Sequence, residues 1–176
     1  MTSLSIYRAT LPQRAVLQTN DIGHILKLLI DAGVPFEQWP VRAMLKDADA
    51  DAVLNAYQSE IERLKAAHGY TAVDVVRVTP ERPERVSLRR KFMEEHTHAD
   101  DEVRFFVEGS GAFYIHLDDQ VVKLLCHAGD LISVPAGTRH WFDMGPKPYF
   151  TAIRLFVSPE GWVGHVTGDP LPGLIP

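Results

Sequence analysis

The sequence has little cysteine and no long hydrophobic run. Among its 176 residues Cys126 is the single cysteine, so no internal disulfide can form and this residue is predicted to be a small buried hydrophobe. The longest apolar stretch near the start, Ile25 to Ile30, contains Lys27 and is far shorter than the ~20 residues that a membrane helix requires. The first residues also lack the basic start and apolar stretch of a signal peptide. We therefore expect a cytoplasmic protein with no membrane partner.

An excess of positive charge is lacking as well. The chain has 18 Lys and Arg against 23 Asp and Glu, a net charge of -5, and it contains no long run of either sign. Proteins that bind nucleic acid or anionic membrane surfaces need clustered basic residues. We therefore expect no nucleic-acid partner, and a small molecule is the expected ligand.

The length of the chain bounds its organisation. At 176 residues it fits a single domain, because domains usually hold roughly 100 to 200 residues. A chain of this size buries on the order of 70% of its unfolded surface, so it needs neither a disulfide nor a structural metal for stability. Any metal site in it should therefore have a functional reason.

Two helices are predicted in the first part of the chain. Apolar residues recur at helical spacing over 20–32 and stop before Gly33, and good helix formers fill 50–68 and end before Gly69. We expect residues 1–70 to form a helical segment that packs on the rest of the fold.

The pattern changes from Val73 onward to short β-branched and aromatic runs separated by Pro, Gly and Asp. These runs occupy residues 73–78, 102–107, 111–117, 120–125, 131–134, 138–143 and 149–157. Closely spaced short strands are typical of a sandwich or barrel. We therefore predict a mainly β fold with N-terminal helices, in which residues 71–157 form the barrel and residues 158–176 form a tail near its cavity.

Three histidines and a glutamate are predicted to meet inside this barrel. His96 and His98 lie two apart, so in an extended segment both side chains point to the same face. Glu102 begins the next strand, and His140 begins a late one and faces the same interior. The other histidines are interpreted as surface or hydrogen-bonded residues; they are His24, His68, His116, His127 and His165.

This donor set indicates a catalytic metal. Structural zinc is normally closed by four Cys or His ligands, whereas three imidazoles and a carboxylate suit a six-coordinate Fe, Ni, Mn or Co ion with two positions open. Open positions can bind a chelating substrate.

Two blocks of the sequence resemble the paired metal-binding motifs of the cupin superfamily. The blocks are His96-x-His98-x3-Glu102, followed by Gly109, and Gly129-x5-Pro135-x-Gly137-x2-His140. The resemblance covers about residues 90–157 and implies a small antiparallel barrel of jelly-roll type with the ion inside it. Arg90 and Met144 depart from the usual Gly and Asn of these motifs, but both lie outside the ligand set.

Most of residues 90–165 is also similar to one cupin family, the acireductone dioxygenases of methionine salvage. The similarity is carried by FMEEHTHADDEVRFF from Phe92, PAGTRHWFD from Pro135, Arg154, and Gly161-Trp162. It implies an enzyme that holds one Fe(II) or Ni(II) ion per chain and cleaves 1,2-dihydroxy-3-keto-5-methylthiopentene with O2. It further implies 4-methylthio-2-oxobutanoate and formate as products of the iron form, and methylthiopropionate, formate and CO as products of the nickel form.

Two arginines are predicted to stabilise the anionic enediol. Arg104 shares a strand face with Glu102, and Arg154 interrupts an otherwise apolar strand, where a charge is costly unless it has a partner. A guanidinium keeps its proton under ordinary conditions, which suits this role. For each arginine the alternative is a buried ion pair with no contact to substrate.

Further side chains complete the predicted site. Phe92, Phe142 and Trp162 are candidates for an apolar slot that holds the methylthio group, although aromatic residues in a barrel also serve as core. Glu95 or Asp101 could accept the enediol proton. The alternative for both carboxylates is a solvated group or a support for the ligands.

Other functions stay open at this point. A cupin dioxygenase or isomerase could act on a different chelating substrate, although a sugar phosphate would call for more than two cations near the cavity. A non-enzymatic metal-binding cupin usually joins a DNA-binding helical module, whereas Lys27 and Arg42 in the N-terminal part are well separated. A monomer is compatible with the sequence, which does not define the oligomeric state.

Overall fold

A computed structural model describes residues 1–44 and 48–176 of the chain. The strands are β1 (Ser3–Arg8), β2 (Leu11–Thr19), β3 (Phe36–Gln38), β4 (Ala72–Val78), β5 (His96–Thr97), β6 (Glu102–Leu117), β7 (Gln120–His127), β8 (Asp130–Val134), β9 (Arg139–Asp143), β10 (Phe150–Phe156) and β11 (His165–Val166). The helices are α1 (Ile22–Asp31), α2 (Ala50–Ala56), α3 (Gln58–His68) and α4 (Arg85–Phe92), with a 3-10 turn at Leu171–Gly173. The predicted mainly β fold is confirmed. Within the described part of the chain, no helix has the length and apolar character to cross a membrane.

Two antiparallel sheets share the long strand β6. The first half of β6 pairs with β8 and β10, and β3 and β4 extend this sheet on either side. The second half pairs with β7 and β9; β1 and β2 extend the second sheet beyond β7, and β5 and β11 extend it beyond β9. One strand therefore connects the two layers that enclose the interior.

The sequence analysis predicts two strands, 102–107 and 111–117, where the structure has the single strand β6. Gly109 lies at the change of sheet with a φ of 73°, a conformation that favours glycine. A Cβ atom here would lie 1.8 Å from the carbonyl oxygen of Tyr149. Gly109, which lies between the two predicted strands, is thus the residue at which β6 passes from one sheet to the other.

Side chains alternate along β6 between two hydrophobic clusters. Phe106 lies in the interior between the sheets, where α1 also buries Ile25 and Leu29. Phe105 faces outward into a cluster with α2 and α3, in which its ring lies 4.8 Å from that of Tyr57. Glu102 and Arg104 share the parity of Phe106, so the alternation directs two charged groups into the interior.

The N-terminal part differs from the predicted helical segment. Residues 3–19 form the hairpin β1–β2, and β1 pairs with β7 from Ser3↔Leu125 to Arg8↔Gln120. This hairpin was missed because its apolar residues do not alternate regularly over its whole length, and its pairing with β7 is a tertiary contact. As a division into domains, the ranges 1–70, 71–157 and 158–176 stay a prediction.

The two predicted helices exist with altered bounds, and a third helix was missed. The helix expected over 50–68 is interrupted at Tyr57, whose ring is completely buried and whose hydroxyl accepts from the backbone N–H of Arg42. Helix α4 was not predicted, because its sequence RVSLRRKF has no clear apolar stripe.

The C-terminal tail lies on the sheet. Strand β11 pairs with β5, which places His165 opposite Thr97 and Val166 opposite His96. Further along, Leu171 and Ile175 pack in a cluster with Trp141. The tail therefore runs beside the strand that carries the first predicted metal ligand.

The bend at Gly109 gives a test of this architecture. Gly109→Ala should lower the free energy of unfolding by about 3 kcal/mol, because a positive φ and a backbone clash combine. Gly69→Ala is the matched control, since Gly69 has a φ of 72° with nothing within 4 Å of the added Cβ, and it should cost about 1 kcal/mol. Urea denaturation measures both values, and equal losses would contradict this role of Gly109.

Candidate active site and metal centre

A cavity of about 500 Å³ opens between the two sheets. Its lining includes the four predicted metal ligands, both predicted arginines and all three predicted aromatic residues: His96, His98, Glu102, His140, Arg104, Arg154, Phe92, Phe142 and Trp162. Its size and mixed polar and apolar walls are typical of a small-molecule site. The structure thus brings together every predicted site residue except Glu95 and Asp101.

Three of the four predicted ligands lie on the neighbouring strands β5, β9 and β6, and His98 directly follows β5. His96 lies in β5 directly opposite His140 in β9, and Glu102 is the first residue of β6. One donor atom from each side chain lies within 4.8 Å of all the others. The Oε2 atom of Glu102 is 3.0 Å from Nε2 of His98 and 3.3 Å from Nε2 of His140. These residues could hold a single ion.

Backbone carbonyls orient all three imidazoles. The Nδ1 atoms of His96, His98 and His140 lie 2.6, 3.1 and 2.8 Å from the carbonyl oxygens of Glu94, Val163 and Thr138, respectively. A carbonyl oxygen only accepts, so each Nδ1 carries the proton and each Nε2 presents its lone pair to the common point. Such hydrogen bonds from the second ring nitrogen are usual in metal-binding histidines, and the donor set therefore fits a divalent ion.

The charge states of His96 and Glu102 also fit a bound divalent ion. Burial, followed by the neighbouring His140, lowers the pKa of His96 to about 4, so this imidazole is neutral at pH 7. Burial raises the pKa of Glu102, but the guanidinium of Arg104 outweighs this effect and holds that pKa well below its usual range. A neutral imidazole and an ionised carboxylate are the forms that bind metals.

Arg104 forms the ion pair that the sequence analysis left as an alternative, and it also lines the cavity. Its Nη2 donates to Oε1 of Glu102 at 2.5 Å, which leaves Oε2 directed at the histidines. The guanidinium lies 4.6 Å from the ring centre of Phe142 and 4.9 Å from that of Phe113. Among the described residues, its buried Nε has no hydrogen-bond partner.

Arg154 is held in a similar way on β10, the strand that pairs with the first half of β6. Its Nε and Nη2 donate to the two carboxylate oxygens of Asp74 at 2.9 and 2.6 Å. The guanidinium also lies 5.2 Å from the ring centre of Trp162. Arg154 is directly opposite Arg104 in the pairing of β10 with β6, so the two guanidiniums are close within one cavity.

The three predicted aromatic residues form part of the wall, with different degrees of burial. Phe142 is almost completely buried and contacts the interior core, whereas Phe92 at the end of α4 is partly exposed and lies 6.2 Å from it. Trp162 is 38% exposed and packs edge-on against Phe156 at 5.5 Å. The alternative of a core role therefore applies most strongly to Phe142.

Glu95 and Asp101 do not line the cavity. Glu95 is buried behind β5, where its carboxylate accepts from Nδ1 of His116 at 2.6 Å and from the hydroxyl of Thr167 at 2.7 Å. Asp101 accepts from the backbone N–H of Ala136 at 2.8 Å. Neither carboxylate lines the cavity, and their hydrogen bonds match the supporting role that the sequence analysis gives as the alternative. That one of them accepts the enediol proton stays a prediction.

His116 is hydrogen-bonded, as its interpretation from sequence requires. Glu95, His116 and Asp169 also form a second group of possible ligand atoms within 4.8 Å of one another. In this group the glutamate and the histidine already satisfy each other.

Several lining residues were missed by the sequence analysis. They are Lys91, Glu94, Phe113, Phe156, Val163, Gly164 and Val166. Phe156 shares strand parity with Arg154 and could have been found from that pattern. Lys91 could not, because it belongs to a helix that was not predicted, and Val163 to Val166 lie in a tail without periodicity.

The chain resembles known proteins over almost its whole length. A model of the ARD/ARD' family matches residues 32–164. An acireductone dioxygenase of Parvibaculum lavamentivorans is 54% identical over 172 residues, which cover 97% of this chain and 94% of that protein. The chain belongs to the acireductone dioxygenase family. It is accordingly a dioxygenase, an oxidoreductase of methionine salvage.

Other relatives agree with this assignment. The acireductone dioxygenase of Hahella chejuensis is 49% identical over 176 residues, with 100% of this chain and 95% of that protein covered. The solved structure of an acireductone dioxygenase from Bacillus anthracis with a cadmium ion in its active center superimposes with a TM-score of 0.81 at 32% identity, covering 94% of this chain and 98% of that one. The predicted cupin fold is thereby confirmed. Acireductone dioxygenases use iron or nickel, in agreement with the predicted cofactor.

The convergence of the histidines predicts which substitutions abolish metal binding. After stripping and reloading with Ni(II), the affinity of His140→Ala for the ion should fall by more than about 100-fold. Loss of a supporting hydrogen bond alone costs roughly 10- to 100-fold, and this substitution removes a ligand. The exposed His24 lies on α1 outside the cavity, so His24→Ala is the control and should keep one ion per chain. Metal analysis after desalting measures occupancy, and full occupancy in His140→Ala would refute its assignment as a ligand.

Proposed function

We propose that the cavity is the active site of an Fe(II)- or Ni(II)-dependent enzyme that cleaves 1,2-dihydroxy-3-keto-5-methylthiopentene with O2. The observation that carries this proposal is the convergence of His96, His98, Glu102 and His140 in one cavity with two guanidiniums and an aromatic wall. The ion that these four residues would hold supplies Lewis acidity, which lowers the pKa of chelating enediol oxygens and orients them.

The products are proposed to depend on which ion is loaded. Iron would give 4-methylthio-2-oxobutanoate and formate, and nickel would give methylthiopropionate, formate and CO. Nitrogen and oxygen ligands bind Ni(II) more tightly than Fe(II). The same four side chains serve both ions, so availability in the cell would determine the product.

The role proposed for Arg104 is to position Glu102. Its hydrogen bond to Oε1 fixes the carboxylate with Oε2 facing the histidines. The buried guanidinium also adds positive charge beside the place where an anionic substrate would lie.

The role proposed for Arg154 is to bind the anionic substrate directly. Asp74 engages Nε and Nη2, and among the described residues Nη1 has no such partner, so it can donate to a substrate oxygen. Because Asp74 and the ring of Trp162 hold the guanidinium in place, little side-chain entropy is lost on binding.

The apolar side of the cavity is proposed to receive the methylthio end. Phe92 and Trp162 are accessible, and Phe142 closes the wall between them and the core. An aromatic wall buries apolar substrate surface and excludes water from the reacting part.

Surroundings and assembly are proposed from the sequence. A net charge of -5 without basic runs, together with a single cysteine, supports a cytoplasmic protein that acts without nucleic-acid or membrane partners. A monomer is compatible with these features, which do not define the oligomeric state. Its partners are then the small-molecule acireductone and O2.

O2 uptake and product analysis test the proposed activity. Protein stripped of metal and reloaded separately with Fe(II) or Ni(II) should consume O2 and release formate from the synthetic enediol, with CO from the nickel sample alone. Stripped protein is the control. If both loaded samples bind metal and leave the enediol untouched, the proposed substrate is wrong and another chelating substrate must be sought.

Arg154→Met separates substrate binding from metal binding. The variant should keep its ion but lose roughly 10- to 100-fold in kcat/KM, the range expected for a lost charged hydrogen bond. Arg77→Met is the matched control, because Arg77 lies on the neighbouring strand β4 and does not line this cavity. Steady-state kinetics on reloaded protein measures both variants, and unchanged kinetics in Arg154→Met would leave Arg154 with a structural role only.

A further inference from the structure

Helix α4 differs in charge from the rest of this acidic chain. It carries four basic side chains and no acidic one in the sequence RVSLRRKF. Arg89 is neutralised by Asp143, to which it donates twice. The two following residues, Arg90 and Lys91, are both exposed, and among the described residues neither has a carboxylate within 4.0 Å.

Only Lys91 of these two adjacent cations lines the cavity. It lies on the wall beside Phe92, at the exposed end of a cavity whose other members include the buried His98 and Glu102. Glu94 also lines the cavity, but among the described residues its carboxylate forms no ion pair with Lys91 within 4.0 Å. The Lys91 ammonium is therefore available to a ligand.

The other cations that line the cavity are already engaged. Arg104 is held by Glu102 at 2.5 Å and Arg154 by Asp74 at 2.6 Å. Among the described lining residues, Lys91 is thus the Lys or Arg side chain that forms no ion pair within 4.0 Å. A lysine is also a compact charge on a flexible stem, which can follow a ligand from the opening into the cavity.

The helix itself does not account for Lys91. A basic residue in the last turn interacts favourably with the helix dipole, but Arg89 and Arg90 occupy that turn as well. If Lys91 were neutral, two basic residues would still interact with the helix dipole. The dipole therefore does not explain why a charged residue lines the cavity.

We propose that Lys91 is a substrate-binding residue whose ammonium attracts and binds the anionic enediolate at the open end of the cavity. This inference rests on the proposed function, since the enediol binds in its ionised form. Low-dielectric walls focus the field of a charge at the mouth of a cleft, so a single cation there raises the rate of capture of a small anion. The chemical class that Lys91 selects is therefore small anionic enediolates over neutral analogues.

The test compares Lys91→Gln, Lys91→Arg and Arg90→Gln as iron-loaded enzymes. Lys91→Gln should lower kcat/KM about three- to fivefold with kcat unchanged, as expected for one accessible charge pair. Lys91→Arg keeps the charge and should keep wild-type kcat/KM. Arg90→Gln removes an equal charge from the next residue outside the cavity and should have no effect on kcat/KM.

Two further measurements separate binding from a general effect on the fold. Anaerobic titration of the enediol should give a dissociation constant raised by the same factor in Lys91→Gln, without turnover. Raising the ionic strength should lower kcat/KM of the wild type more than that of Lys91→Gln, because salt screens the charge that only the wild type has. Melting temperatures of all variants should match the wild type, since both side chains are exposed.

The possible outcomes are distinct. Equal losses in Lys91→Gln and Arg90→Gln would assign the effect to the field of the whole helix and overturn the assignment of Lys91. No loss in Lys91→Gln, or an equal loss in Lys91→Arg, would overturn it as well. A wild-type enzyme that leaves the enediol unchanged would instead refute the proposed function, and the substrate-binding role of Lys91 with it.

Discussion

The buried ion pair between Arg104 and Glu102 is the interaction on which the site depends. A carboxylate that is 3% exposed needs a partner to stay ionised, and Arg104 provides it from the same face of β6. One oxygen of Glu102 is occupied by the arginine and the other is directed at two histidines. The pair thus gives the cavity both a charged ligand and a defined ligand direction.

The protein backbone contributes as much to this site as the side chains do. The backbone carbonyl groups of Glu94, Thr138 and Val163 come from three separate segments of the chain. They select the tautomer of the three histidines. The carbonyl of Val163 belongs to the C-terminal tail, so a segment remote in sequence helps to orient His98. The hydrogen bond that orients His98 therefore also joins two separate segments of the fold.

Strand parity was sufficient to predict the centre of the site. Glu102 and Arg104 face the cavity, Phe106 packs in the interior core on the same side, and Val103 and Phe105 face the helices, because side chains alternate along any strand. The hairpin β1–β2, helix α4 and strand β11 could not be predicted in this way. Their positions depend on tertiary contacts, such as the pairing of β1 with β7, which leave little local pattern. For the same reason, the sequence pattern did not reveal that Lys91 lines the cavity. It also did not reveal the hydrogen-bond partners that hold Glu95 away from the cavity.

The pairing of β11 with β5 also bears on self-association. Without the tail, the two-residue strand β5 would become the edge of its sheet, and its backbone groups would be open to pairing with another chain. At the opposite edge, β2 carries Pro12, which lacks an N–H, and the charged Arg14. Strand β11 thus pairs with these groups and becomes the edge itself, and an edge of only two residues offers little backbone for pairing with another chain.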